Sequence, residues 1–282
     1  MAKLFNAFFF KLRKDLSFRI TLFIGIGLAV LLSLILLGVE LIVSGTLGSS
    51  QRLLTGETML TNSLSPVANF GIAIPVNLIT FTVLEFSQGT IRNKIIAGYS
   101  KFKIYVSLYL FGLIFSLSLL SIYVGLCTSI GSIYGGFDPY GSGFTSFGSF
   151  TPTYLWRLVL TTFISYLFIV SFTVFFSTLF RQIGGAIPVV IVVLFFFYFV
   201  AVIASTLTLG AGPDNQFKTV IDTLKFVDPL FAPCASVVEF NGESAILVID
   251  DLALIGNIVS NLVYTSIFFI LGVFIFKKRD VK

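Results

Sequence analysis

Apolar residues run almost unbroken along six stretches of this chain: Ile20 to Leu41, Val67 to Leu84, Ile104 to Ile130, Tyr154 to Phe180, Ile183 to Leu207 and Leu252 to Phe276. A helix needs about 20 apolar residues to cross the hydrocarbon core of a bilayer. The pattern therefore predicts an all-α polytopic membrane protein, a single transmembrane domain over residues 1–282 with six transmembrane helices. No internal repeat and no matched helix interruptions of the inverted-repeat kind are evident.

Between the stretches the pattern changes character. Leu4, Phe5, Phe8, Phe9 and Leu12 recur at helical spacing while Lys3, Lys11 and Lys14 stay free for water, so residues 1–18 read as an amphipathic interfacial helix. It serves either as an elbow that touches a partner or as a plain anchor. The Gly, Ser and Phe-rich loop from Tyr134 to Thr153 favours turns and reads as a cap over the bundle mouth. In the segment 208–251, Asp214 can cap a helix whose apolar face is Phe217, Val220, Ile221 and Leu224, and Pro229 and Pro233 then break the chain. One or two short extracellular helices dipping back toward the membrane are expected there.

Composition agrees with the span pattern. Of the 282 residues 56% are hydrophobic and 11% charged, against roughly 25% charged in a soluble domain. Basic residues set the orientation, because loops rich in Lys and Arg stay inside. Lys3, Lys11, Arg13, Lys14 and Arg19 precede the first span; Arg92, Lys94, Lys101 and Lys103 follow the second; Arg181 follows the fourth; Lys277, Lys278, Arg279 and Lys282 end the chain. Most acids lie in the opposite loops, so both termini are expected in the cytoplasm of a cell whose plasma membrane holds the protein. The net charge of +5 reflects basic loops meeting anionic headgroups, not nucleic acid. Cys127 and Cys234 both fall near the outer side, as a bridge or as two apolar fillers.

Reactive chemistry is missing. Without histidine, imidazole bases and histidine metal sites are excluded. There is no phosphate-cradling G-x-x-x-x-G-K-[ST] loop and no G-x-S-x-G elbow, so no catalytic residue, metal site or cofactor is expected in this chain. Glu40, Glu85 and Arg157 sit near span ends, where a charge is far less costly than at the bilayer centre.

The run from Glu85 to Lys101 is the main polar interruption. Gly89 and Thr90 can open a helix with Ile91, Ile95 and Ile96 on one side and Arg92, Asn93 and Lys94 largely on the other; Gly98 can end it, and Ser100 can cap the next helix. A short helix between two spans is suited to transmitting a push. Glu85, Gly89-Thr90-Ile91-Arg92, Ile95-Ile96, Gly98 and Ser100-Lys101 before Ile104-Tyr105 resemble the membrane subunits of type-2 ABC exporters, with Lys101 where arginine is common. The span number and the outer segment before the last span agree with that resemblance.

The resemblance implies a dimer, either with a second copy or with a paralogous permease. Each subunit would dock a separate cytosolic ABC ATPase, two copies in all, through Gln88, Gly89, Thr90, Ile91, Arg92, Asn93, Lys94 and Ile95. ATP and Mg would belong to that partner.

For cargo, Thr162, Tyr166, Thr173 and Ser177 fall within one narrow face of the fourth span, and Asn77 lies mid-way along the second. They can line a pathway or bond between packed helices. The aromatic run Phe195 to Phe199 surrounds its helix and meets lipid or a dimer partner. An apolar interior favours an amphipathic peptide, a hydrophobic antibiotic or a lipid-like molecule, which implies secretion or self-protection. The competing expectation is a membrane sensor or scaffold that binds an extracellular ligand without transport.

Overall fold

The computed structural model describes residues 6, 10, 16–47, 54–66, 71, 73–137, 152–180, 182–209, 218–231, 237–241, 244–249 and 251–278. Among them, five helices are long and apolar enough to cross a membrane: α1 (Leu16–Leu47), α5 (Lys101–Gly135), α6 (Pro152–Leu179), α7 (Ile183–Leu209) and α9 (Asp251–Lys278). The chain is a multi-pass helical membrane protein. Shorter elements complete it: α2 (Gly56–Leu64), α3 (Ala73–Ser87), α4 (Thr90–Ile96), α8 (Lys218–Val227) and strands β1 (Val237–Asn241) and β2 (Ser244–Val248).

Of the expected second span the described part is α3, while residues 67–70 and 72 lie outside the described residues. At 1.5 Å per residue the 15 residues of α3 extend only about 22 Å, against roughly 30 Å of hydrocarbon. This helix is buried on two sides. Ile74, Leu78 and Phe81 join a core with Phe111, Tyr166 and Val170, while Ile79 and Val83 join another with Phe168, Phe172 and Val190.

Helix α6 is the hub: 78% of its apolar window is buried inside the chain, against 17% for α1. It runs parallel to α9 in a constant register. Arg157 bridges Asp251 at 2.5 Å, Asn257 and Asn261 reach Ser165, Ser171 donates to the Thr265 carbonyl at 3.0 Å, and Phe172 meets Phe268 edge-on with centroids 5.2 Å apart. The upper half of this interface is polar and the lower half aromatic.

Three departures from the sequence expectations concern the ends of the bundle. Residues 56–64, expected within a loop, form α2, capped by Thr55, which accepts from the Thr58 N–H at 3.3 Å. This helix lies on α5 because Gly131 has no side chain: a Cβ there would stand 2.5 Å from the Thr55 carbonyl oxygen. Glu40 is no free interfacial charge, since α1 continues past it and its carboxylate accepts from the Leu54 N–H at 2.9 Å.

Third, the segment before α9 carries one short helix and an antiparallel hairpin, with Asn241 opposite Ser244, rather than helices alone. Its sequence signal was there to read: β-branched residues on both sides of Gly242-Glu243, a Gly-first pair. Cys234, the loop over 138–151 and most of the amino-terminal interfacial helix lie outside the described residues, while Cys127 is buried.

Candidate coupling site and a buried polar node

Helix α4 begins and ends where the sequence placed its signals. Gly89 precedes it with φ 69° and Gly98 follows with φ 86°, left-handed conformations that a Cβ disfavours. At the far end Gly98 N–H donates to the Ile95 carbonyl at 2.9 Å and Tyr99 N–H to that of Lys94 at 3.2 Å, the two bonds of a Schellman turn. Ser100 Oγ then accepts from the Lys103 N–H at 3.4 Å to open α5. Four residues separate the two helices.

What fixes α4 sideways was not visible in the sequence. Glu85, on the last turn of α3, is 1% exposed. Its carboxylate takes the Lys94 ammonium at 2.5 Å, and Thr90 Oγ1 lies 2.8 Å from Oε2 and 2.7 Å from the Glu85 carbonyl oxygen. Lys94 is thus turned inward and is not on the free polar side that its position suggested. Ile91 is fully buried in the core that contains Ile104, Tyr105 and Phe276, with Ile95 packed at its margin. Ile96, one helical step on, is 74% exposed, and Arg92 and Asn93 are exposed with it. The helix therefore has one locked side and one presented side.

The lock extends to the last helix. Phe86 meets Phe276 edge-on at 5.5 Å, and Lys101 Nζ donates to the Lys277 carbonyl at 2.9 Å, satisfying one of the free carbonyls at the end of α9. The ends of α3, α5 and α9 and the whole of α4 form one packed unit.

The predicted pathway residues lie inside the protein. Thr162, Tyr166, Thr173 and Ser177 are all at most 1% exposed. Thr162 donates to the Leu64 carbonyl at 3.1 Å, Thr173 to Ile169 and Ser177 to Val174. Asn77, half-buried, donates to the Ala73 carbonyl at 2.8 Å. These bonds join elements or fold back on their own helix, as that of Asn77 does.

A second polar cluster escaped the sequence analysis, although Pro229 was singled out as a breaker. The turn at 228–231 reaches the middle of α6, about 20 Å along it from Pro152 at 1.5 Å per residue. There the Pro229 carbonyl accepts from Ser165 Oγ at 3.1 Å, Asn257 Nδ2 at 3.0 Å and Asn261 Nδ2 at 2.7 Å. Irregular backbone at such depth needs protein donors. Gly256 makes the approach possible: its Cβ would collide with the Lys225 carbonyl. Asp228 Oδ1 accepts from the Leu230 N–H at 2.9 Å. Outside the spanning helices yet 2% exposed, its carboxyl is pushed up to about 7 by burial, which outweighs the opposing Leu230 bond. A buried acceptor left without a donor costs roughly 1–3 kcal/mol, so the oxygens of this node demand an account.

No curated protein and no solved structure matches this chain. Residues 54–282, which include both α4 and the node, match a family described as a protein of unknown function, DUF2705, and the chain belongs to that family.

Proposed function

We propose that the chain is the permease subunit of an ATP-driven type-2 ABC exporter, half of a membrane dimer that moves an amphipathic peptide, hydrophobic antibiotic or lipid-like cargo out of the cell. The observation that carries this reading is α4: a short helix locked to three membrane helices through Ile91, Glu85 and Lys94, with Ile96, Arg92 and Asn93 presented outward. Such a part serves to receive force. A cytosolic ATPase holding ATP and Mg would bear on the exposed side, and displacement of α4 would carry α3, α5 and α9 together because their ends are packed as one unit.

In this reading α3 and the residues before it make the second of six spans, both termini are cytoplasmic, and the hairpin faces outside. Passage along Thr162, Tyr166, Thr173 and Ser177 would require α6 to part from its neighbours, since these groups are enclosed in the single chain.

The test is to purify the tagged protein from its native membrane, identify the co-purifying ATPase and reconstitute the complex in vesicles. Expected are cargo-stimulated ATP hydrolysis and vesicle uptake, both lost in Gly89→Pro and Ile95→Asp while the subunit still inserts. Full transport by those variants, or by the chain alone, would refute the proposal. Binding of an external ligand with no movement would instead establish a sensor.

A further inference from the structure

At the node around Pro229, three buried side-chain oxygens have no hydrogen-bond partner: Asp228 Oδ2, Asn257 Oδ1 and Asn261 Oδ1. Asn257 and Asn261 are fully buried and Asp228 is 2% exposed. Flipping the amides brings no relief. Both Nδ2 groups donate to the Pro229 carbonyl, and reversal would set oxygen against oxygen. Ser165 supplies its hydroxyl hydrogen to the same carbonyl. The node therefore holds more acceptors than donors.

Charge points the same way. An ionised Asp228 would be a buried anion, and among the described residues two bases on the elements packed around it, Lys225 and Arg157, are engaged elsewhere. Lys225 of α8 pairs with Asp222 at 3.1 Å. Arg157 of α6 is held by Asp251 and by the Ile249 carbonyl. Tyr198 of α7 and Tyr264 of α9 carry phenols, which bring no cation. A single added hydrogen answers both problems, since it removes the charge, turns Oδ2 into a donor and gives one amide oxygen its partner.

We propose that this node is a proton-binding site: Asp228 is held as the carboxylic acid, its Oδ2–H donated to an amide oxygen of Asn257 or Asn261, and this bond clamps the 228–231 turn between α6 and α9. Loss of the proton leaves a bare buried carboxylate in a node already short of donors and releases the clamp. The site is independent of the export reading, because it concerns contacts within one chain.

The experiment uses the full chain in lipid nanodiscs, with infrared difference spectra and thermal unfolding recorded from about pH 5 to about pH 9, a range centred where a carboxyl raised by burial titrates. Wild type is expected to show a protonated-carboxyl band at neutral pH that is absent from Asp228→Asn. The band should fade as pH rises through about 7, and Tm should fall by about 4 °C or more from about pH 5 to about pH 7 and level off above. Asp228→Asn carries a permanent N–H donor, so its Tm should lack that step. No such band in wild type at neutral pH would overturn the proposal even if the variant failed to fold, and so would a fall in Tm of equal size over the same pH range in Asp228→Asn. Restoration of the alkaline Tm by Na+ but not by choline would show that a metal ion, not a proton, fills the node, and would overturn it as well.

Discussion

Removing Lys94 should destabilise the protein far more than neutralising its partner, because the two charges are buried unequally. In Lys94→Met the Glu85 carboxylate, 1% exposed, loses its ammonium partner while Thr90 still donates to it. Stripping one partner from a buried pair typically costs about 3–5 kcal/mol; Thr90 and the 17% exposure of the Lys94 side chain place the expected loss near the lower end, about 3 kcal/mol. In Glu85→Gln the amide oxygen still accepts from Thr90, and Lys94 can extend its flexible stem toward water, so about 1 kcal/mol is expected. The double variant strands no charge and should lie close to Glu85→Gln. The resulting coupling of about 2 kcal/mol or more is read from a double-mutant cycle on unfolding of the purified chain in nanodiscs. A coupling within about 0.5 kcal/mol of zero, or equal losses in the two single variants, would make the pair an ordinary exposed contact and would remove the lock from α4.

Other substitutions separate the locked from the presented side of that helix. Ile91→Ala should cost about 2–4 kcal/mol by opening a cavity in the core, seen as a lowered Tm. Ile96→Ala should change stability by less than about 0.5 kcal/mol yet abolish capture of the ATPase that the export proposal calls for; unchanged capture would show that Ile96 is no part of the docking surface. Gly98→Ala, at φ 86°, should cost about 1 kcal/mol or more, detectable as faster amide exchange across the 97–100 turn. For Asp228 the folded-state carboxyl is raised to about 7 from about 3.9 unfolded, so between those values the folded chain binds the extra proton. Its contribution is complete below about pH 4 and declines as pH rises through 7, a slope that wild type should show and Asp228→Asn should not.

Several parts of this architecture were legible in the residues alone. Long apolar stretches announce spans because few other surroundings accept so many Phe, Ile and Leu side chains with so few charges. The limits of α4 were legible too, since Gly89, Gly98 and Ser100 act through their own backbone or their immediate neighbours. The hairpin at 237–248 was equally local, and the Gly242 between its two β-branched runs was overlooked. The membrane helices Ile104 to Ile130 and Leu252 to Phe276 were placed to within a few residues of α5 and α9, which run Lys101–Gly135 and Asp251–Lys278.

Tertiary structure alone decided the rest. A helix that is apolar all round does not say which side meets protein and which meets lipid, so the parallel pairing of α6 with α9, and the enclosure of Thr162 and Tyr166, cannot be derived from hydropathy. Glu85 and Lys94 were each visible as charges, but nine residues and a turn separate them, and only the folding of α4 against the end of α3 makes them one ion pair. The node at Pro229 joins residues from three distant parts of the chain. The composition of the chain determined its solvent, and its turn residues determined its local shape. Which polar groups meet out of water depended on helix packing, where each desolvated donor or acceptor must find its partner from wherever in the chain one comes near.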